Sequence, residues 1–154
     1  LSELEPASLK VQPKIPSMLN DNVVALLYQP RRNTSLDGDP LRLTFPGDTA
    51  EEKEFSKGLS IHSRTELIWR LGGQYRKLQG WAGIDPEVQG EGQVRLAVQG
   101  DGKVLYDKPI TGSEAPLPLE IDVSGVDRLT LLVDYGDQTD IGDRLNLCEL
   151  RVTK

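Results

Sequence analysis

A chain of 154 residues, 37% hydrophobic and 27% charged, is long enough to bury a core as one domain without disulfide or metal support, and short for two. That composition is typical of a soluble globular protein, and no apolar run approaches the length of a membrane span. The formal net charge of −6 argues against a nucleic-acid partner, which would need clustered Lys and Arg beyond the pair Arg31-Arg32, while the single cysteine, Cys148, excludes an intrachain disulfide or a thiolate zinc site.

The chain opens at Leu1 with no initiator methionine and no charged, apolar leader, so it reads as a piece excised from something longer. Leu1–Pro16 mixes Pro6, Pro13 and Pro16 with short apolar bits, as an edge strand or lead-in would. Val23–Tyr28 is an apolar run ended by Pro30 and predicts a buried strand. After the turn Asp37-Gly38-Asp39-Pro40, Leu41, Leu43 and Phe45 alternate with Arg42 and Thr44 as a strand. Pro46–Ser56, with four acidic residues and few apolar ones, reads as a solvated loop carrying any helical turn the chain contains.

Lys57–Asp85 is the stretch around which the rest is organised, holding the only histidine and both tryptophans. In Thr65–Leu71, Leu67, Trp69 and Leu71 share one side of an extended chain, with Glu66 and Arg70 opposite. Gly72-Gly73 turns the chain, and Leu78, Gly80, Ala82 and Ile84 form a second apolar face, so these two strands are expected to pair. Val94–Val98 and Lys103–Tyr106 flank Asp101-Gly102 as a hairpin. Leu119, Ile121 and Val123 precede a Ser124-Gly125 turn into Leu129–Tyr135, and Leu145–Val152 closes the chain. Roughly nine or ten short strands without a sustained helical period predict an all-β, antiparallel jelly-roll sandwich, a single domain over 1–154. Trp69, Leu96, Leu131 and Leu150 are its expected core residues.

Few residues can carry chemistry. A serine or cysteine nucleophile wants a histidine base, and the only one is His62, flanked by Ser60 and Ser63; a structural, hydrogen-bonding histidine is the more economical reading. Gly100-Asp101-Gly102 lies between strands and reads as a turn, not as a phosphate loop. Asp134, Asp137, Asp140 and Asp143 place carboxylates in one inter-strand loop, making Asp137, Asp140 and Asp143 the candidate ligands for calcium, although such loops are more often merely solvated. Trp81 lies on the side of its strand opposite Leu78, Ala82 and Ile84. It is either an exposed plate for a sugar ring or covered by another segment, and the N-terminal segment is the expected cover.

These residues resemble the NPCBM domain, a carbohydrate-binding module family found attached to family 98 glycoside hydrolases. KGLSIH at Lys57–His62 is similar to the family's entry motif, followed by the TELIWRL strand and GGQY turn. Gly83-Ile84-Asp85, Asp101-Gly102-Lys103 and Val123-Ser124-Gly125 match later motifs in order. The resemblance places the family-like core at 46–154, with 1–45 as N-terminal strands and lead-in. It implies a galactose-binding-like β-sandwich and a non-catalytic role as accessory module of a larger exported protein, extracellular or periplasmic. The implied partners are a carbohydrate, galactose-containing glycans among the candidates, and the parent's other domains. A ligand site would then use His62, Arg64, Trp81, Asp85, Asp143 and Arg144, with no cofactor beyond possible calcium. The chain departs from the pattern at Pro86, Arg144, Asn146 and Leu147. Leu147 stands where many members carry tryptophan, so the resemblance implies weakened ring stacking, or an interaction module that has lost sugar binding.

Overall fold

Alternating apolar residues build strands here because only one face of each has a core to enter. In the computed structural model, which describes residues 6, 8–11, 30–36, 38–45, 51–88, 92–112, 114–135 and 144–154, these strands form two facing sheets. In chain order they are β1 (Ser8–Val11), β2 (Arg31–Arg32), β3 (Leu41–Phe45), β4 (Glu51–Phe55), β5 (Gly58–His62), β6 (Thr65–Arg70), β7 (Lys77–Ile84), β8 (Gln93–Gly100), β9 (Lys103–Thr111), β10 (Leu117–Asp122), β11 (Arg128–Tyr135) and β12 (Arg144–Thr153). One sheet has the order β1-β6-β11-β8-β9 and the other β10-β7-β12-β5-β2, every pairing antiparallel, with β3-β4 as a separate hairpin. Val23–Tyr28 lies outside the described residues.

The core fills the space between the sheets. Leu67, Trp69, Val94, Leu96, Val98, Leu129, Leu131 and Val133 enter it from the first, and Leu59, Ile61, Leu78, Ala82, Ile84, Leu145, Leu147 and Leu150 from the second. All four expected core residues are buried in it. The expected hairpin turns at Asp101-Gly102, where both residues have positive φ.

Two sequence expectations are corrected. The strands on either side of Gly72-Gly73 do not pair: β6 lies between β1 and β11, and β7 between β10 and β12. The glycines begin a crossing from one sheet to the other. Along it the Leu71 N–H donates to the Asp127 C=O (2.6 Å), the Gly73 N–H to the Val126 C=O (3.0 Å) and the Arg76 N–H to the Thr153 C=O (2.7 Å). Both apolar faces still meet, but across the core. Second, Glu51–Phe55 is strand β4 and not loop or helix; among the described residues the helical turn is a 3-10 turn at Pro86–Val88. Period two is invisible in β4 because Glu51 to Glu54 are all exposed. Its ladder to β3 and the ion pairs of Arg42 with Glu52 (3.4 Å) and Glu54 (3.3 Å) hold it in place. The β3-β4 hairpin thereby joins the two sides of the 45/46 division.

Strand β12 changes parity midway. Leu145 and Leu147 point inward, and then Leu150 does. The register slips between Cys148 and Arg151, around Glu149 at φ 52°, whose N–H donates to the Lys57 C=O (2.8 Å). This β-bulge keeps leucine in the core on both sides of the slip.

Truncating Leu96, Leu131 or Leu150 to alanine is expected to cost about 2–5 kcal/mol through lost burial and a residual cavity. Chemical denaturation measures it, and near-neutral values for all three would contradict the strand faces described here.

Candidate functional site

Pointing Ile61, Leu145 and Ile84 into the core turns their neighbours His62, Arg144 and Asp85 outward together. Strands β5, β12 and β7 are adjacent, Arg144 is paired with His62, and the Asp85 N–H donates to the Arg144 C=O (2.8 Å). The three residues therefore form one row across the rim of the sheet. Behind it runs a second row, Ser60, Asn146 and Gly83, and behind that a third, Gly58, Cys148 and Trp81.

The hairpin lies over the second and third rows. A Cβ on Gly83 would fall 2.7 Å from Leu43 Cδ2, and one on Gly58 2.2 Å from the Leu147 C=O and 2.9 Å from Leu41 Cδ1, so only glycine admits β3 this closely. Gly58 also has φ +150°, which L side chains rarely adopt. Under the hairpin, the Ser60 hydroxyl donates to Asn146 Oδ1 (2.9 Å) and Asn146 Nδ2 donates to the Arg42 C=O (3.0 Å). Both side chains are fully buried and latch β3 to the sheet. Trp81 is half-buried, its ring edge-on to Phe45 at 5.1 Å, with Phe55 beyond. The segment packed against it is thus the β3-β4 hairpin.

The first row lies beyond the two glycine contacts, yet most of it is buried. His62 is 9% and Asp85 3% exposed, while Arg144 is half-buried. His62 Nδ1 faces the Ser63 C=O. A carbonyl only accepts, so Nδ1 carries a proton, and Nε2 of the neutral ring is an acceptor. The Thr65 hydroxyl donates to the His62 C=O (2.6 Å) and fixes the connector that carries Arg64, whose Nε lies 3.9 Å from Asp134 Oδ1. On the Asp85 side of the row lies a depression of about 200 Å³, lined by Thr44, Gly83, Asp85, Pro86, Glu114 and Pro116 among others. This is smaller than the roughly 300–1,000 Å³ of drug-sized sites and suits one small polar unit.

Of the sequence candidates, His62, Asp85 and Arg144 are brought together, Arg64 stands in the adjoining connector, and Trp81 lies two rows away under the hairpin. Asp143, Asp137 and Asp140 lie outside the described residues, among which no group of three His, Cys, Asp or Glu side chains could hold a metal ion. Thr44 and Glu114 were not legible as site residues, because a crossing strand and the β9-β10 connector deliver them. Leu147 is fully buried between the sheets. It therefore does not mark a lost surface plate, contrary to the expectation from the tryptophan it replaces.

The family model of the NPCBM/NEW2 domain matches residues 17–153. No curated protein sequence matches. Solved structures share the fold. CBM51 from Clostridium perfringens GH95, in complex with methyl-galactose, superposes with TM-score 0.80 at 21% identity over 99% of this chain and 97% of that one. CBM51-2 of C. perfringens ZmpB, solved with GlcNAc and INT domains, gives 0.80 at 21% over 98% and 30%. The tandem CBM51 modules of Sp3GH98, the family 98 glycoside hydrolase from Streptococcus pneumoniae SP3-BS71, give 0.78 at 18% over 99% and 46%. The chain thus spans one of the two modules in the tandem structure and under a third of the ZmpB chain.

Burial, with smaller contributions from the Glu149 and Asp85 carboxylates, pushes the Cys148 thiol up to about 12. Because the folded value lies above the unfolded one, this contributes stability below about pH 8.5, which is lost as pH rises toward 12. At pH 8 the native thiol is expected to resist a thiol-disulfide reagent and to react fully once the chain is denatured. Rapid labelling of native protein would contradict its burial.

Proposed function

The chain belongs to the NPCBM/NEW2 domain family, and from that premise we propose that it is a non-catalytic carbohydrate-binding module of a larger, exported protein. The observation that carries the reading is the rim row His62, Arg144 and Asp85, whose Asp85 end lines a small depression bordered by Thr44 of the hairpin. Sugar hydroxyls both donate and accept. A carboxylate accepts from them, a guanidinium donates to them, and a neutral imidazole can do both. The GH95 module solved with methyl-galactose and the ZmpB module solved with GlcNAc make hexopyranosides the ligand class to test first.

Nucleophilic catalysis has little support in these residues. The Ser60 hydroxyl is committed to Asn146 under the hairpin, and the Cys148 thiol stays protonated at physiological pH. A module that has lost sugar binding rested on the tryptophan replaced by Leu147, and the core position of Leu147 removes that ground.

Because hydrogen bonds exchanged against water contribute little net free energy each, the expected affinity is about millimolar to high micromolar. NMR titration with methyl β-galactoside and GlcNAc should shift the amides of His62, Asp85 and Arg144. Asp85→Asn and His62→Ala should weaken binding while circular dichroism stays that of the wild type. No shift across a broad glycan set would overturn the reading.

We also propose that the acidic segment bearing Asp137, Asp140 and Asp143 binds calcium. Calcium added to chelator-treated protein should then raise Tm, by about 2–4 °C for each kcal/mol of mass-action stabilisation in a domain of this size. No shift at millimolar calcium would remove the site.

A further inference from the structure

We propose that Glu114 makes the depression selective against anionic saccharides, so that the sugar unit held there is uncharged; this rests on the saccharide-binding reading above. The described residues lining the depression include two carboxylates, Asp85 and Glu114, and no Lys or Arg. Asp85 is buried at its inner side, while Glu114 is exposed and accessible to an arriving ligand.

The backbone fixes Glu114 there. Its N–H donates to the Thr111 C=O (3.3 Å), and the Gly112 N–H donates to the Gly92 C=O (3.1 Å), tying the β9-β10 connector to the segment after the 3-10 turn. Pro116, buried against the Gly83 floor, anchors the far end of the connector. The nearby cations are outside the depression's described lining: Arg144 neighbours Asp85 in the rim row, and Arg64 is beside Asp134.

A hydroxyl entering the depression can donate to either carboxylate. The carboxylate of a uronic or sialic acid, or a sulfate ester, would instead meet like charge at Glu114, where no described Lys or Arg lines the depression to offset it, the repulsive juxtaposition by which interfaces reject wrong ligands. Because Glu114 sits at the surface, the discrimination is screened by salt.

The test uses two matched pairs of probes, methyl β-galactoside with methyl β-galacturonide and GlcNAc with GlcNAc 6-sulfate, titrated by NMR. The readout is the ratio of neutral to anionic affinity, so a general loss of binding cancels. At about 10 mM salt, where the Debye length is about 30 Å, the wild type should favour the neutral member. The preference should shrink at about 150 mM, where that length is about 8 Å. Glu114→Gln should reduce the ratio by about three- to fivefold, the size of an exposed charge effect, and Glu114→Lys should reduce it further. A ratio unchanged by both substitutions, or an anionic member that binds wild type more tightly, overturns the proposal. If neither neutral probe binds, the saccharide reading fails first and this inference with it.

Discussion

The arrangement of the whole molecule depends on the strict alternation of side chains along β5, β7 and the part of β12 before its bulge. A residue cannot be moved to the other face of a strand without moving its neighbours too. Filling the space between the sheets with Leu59, Ile61, Ala82, Ile84, Leu145 and Leu147 therefore also determines what the outer face shows. The apolar packing and the polar rim are two readings of one register. Hydrophobic burial stabilises each large core side chain by about 1.5–3 kcal/mol, so the rim inherits a rigidity that its own exposed contacts could not supply.

The β3-β4 hairpin divides that outer face. Its apolar side needs a surface without bulk, which the glycines at 58 and 83 provide, and its backbone needs a hydrogen-bonding partner, which Asn146 provides. Both conditions are met in the second and third rows and neither at the rim, where large polar side chains stand. The boundary between a buried tertiary contact and a candidate ligand surface follows from residue size as much as from charge.

How much of this was legible in the sequence depended on whether a strand has one wet and one dry face. β8 and β11 do, as does β6 apart from the buried Ile68, and their alternation announced them; β4 has no dry face, so its acidic residues looked like a loop. The glycine pair at 72 and 73 correctly marked a reversal, but a turn dipeptide carries no information on whether the chain returns to the same sheet or crosses to the opposite one. That decision belongs to hydrogen bonds with residues 126, 127 and 153, far along the chain. His62 and Asp85 stood out because each sits in a local motif, and parity correctly put Trp81 on the outer face. Thr44 and Glu114 had no such signature, since their place in the depression is a product of crossing segments.

The bulge at Glu149 has a consequence for how the sequence can change length. A residue inserted or deleted between Gly58 and His62, or between Arg144 and Leu147, would exchange the two faces of its strand, sending polar groups into the core and leucines onto the rim. Beyond Cys148 the chain already absorbs one extra residue, at the cost of a left-handed backbone position at Glu149. Related chains should therefore vary in length at the connectors and at that one point in β12, while the spacing from the lysine before β5 to the histidine at its end stays constant even where the residues themselves differ.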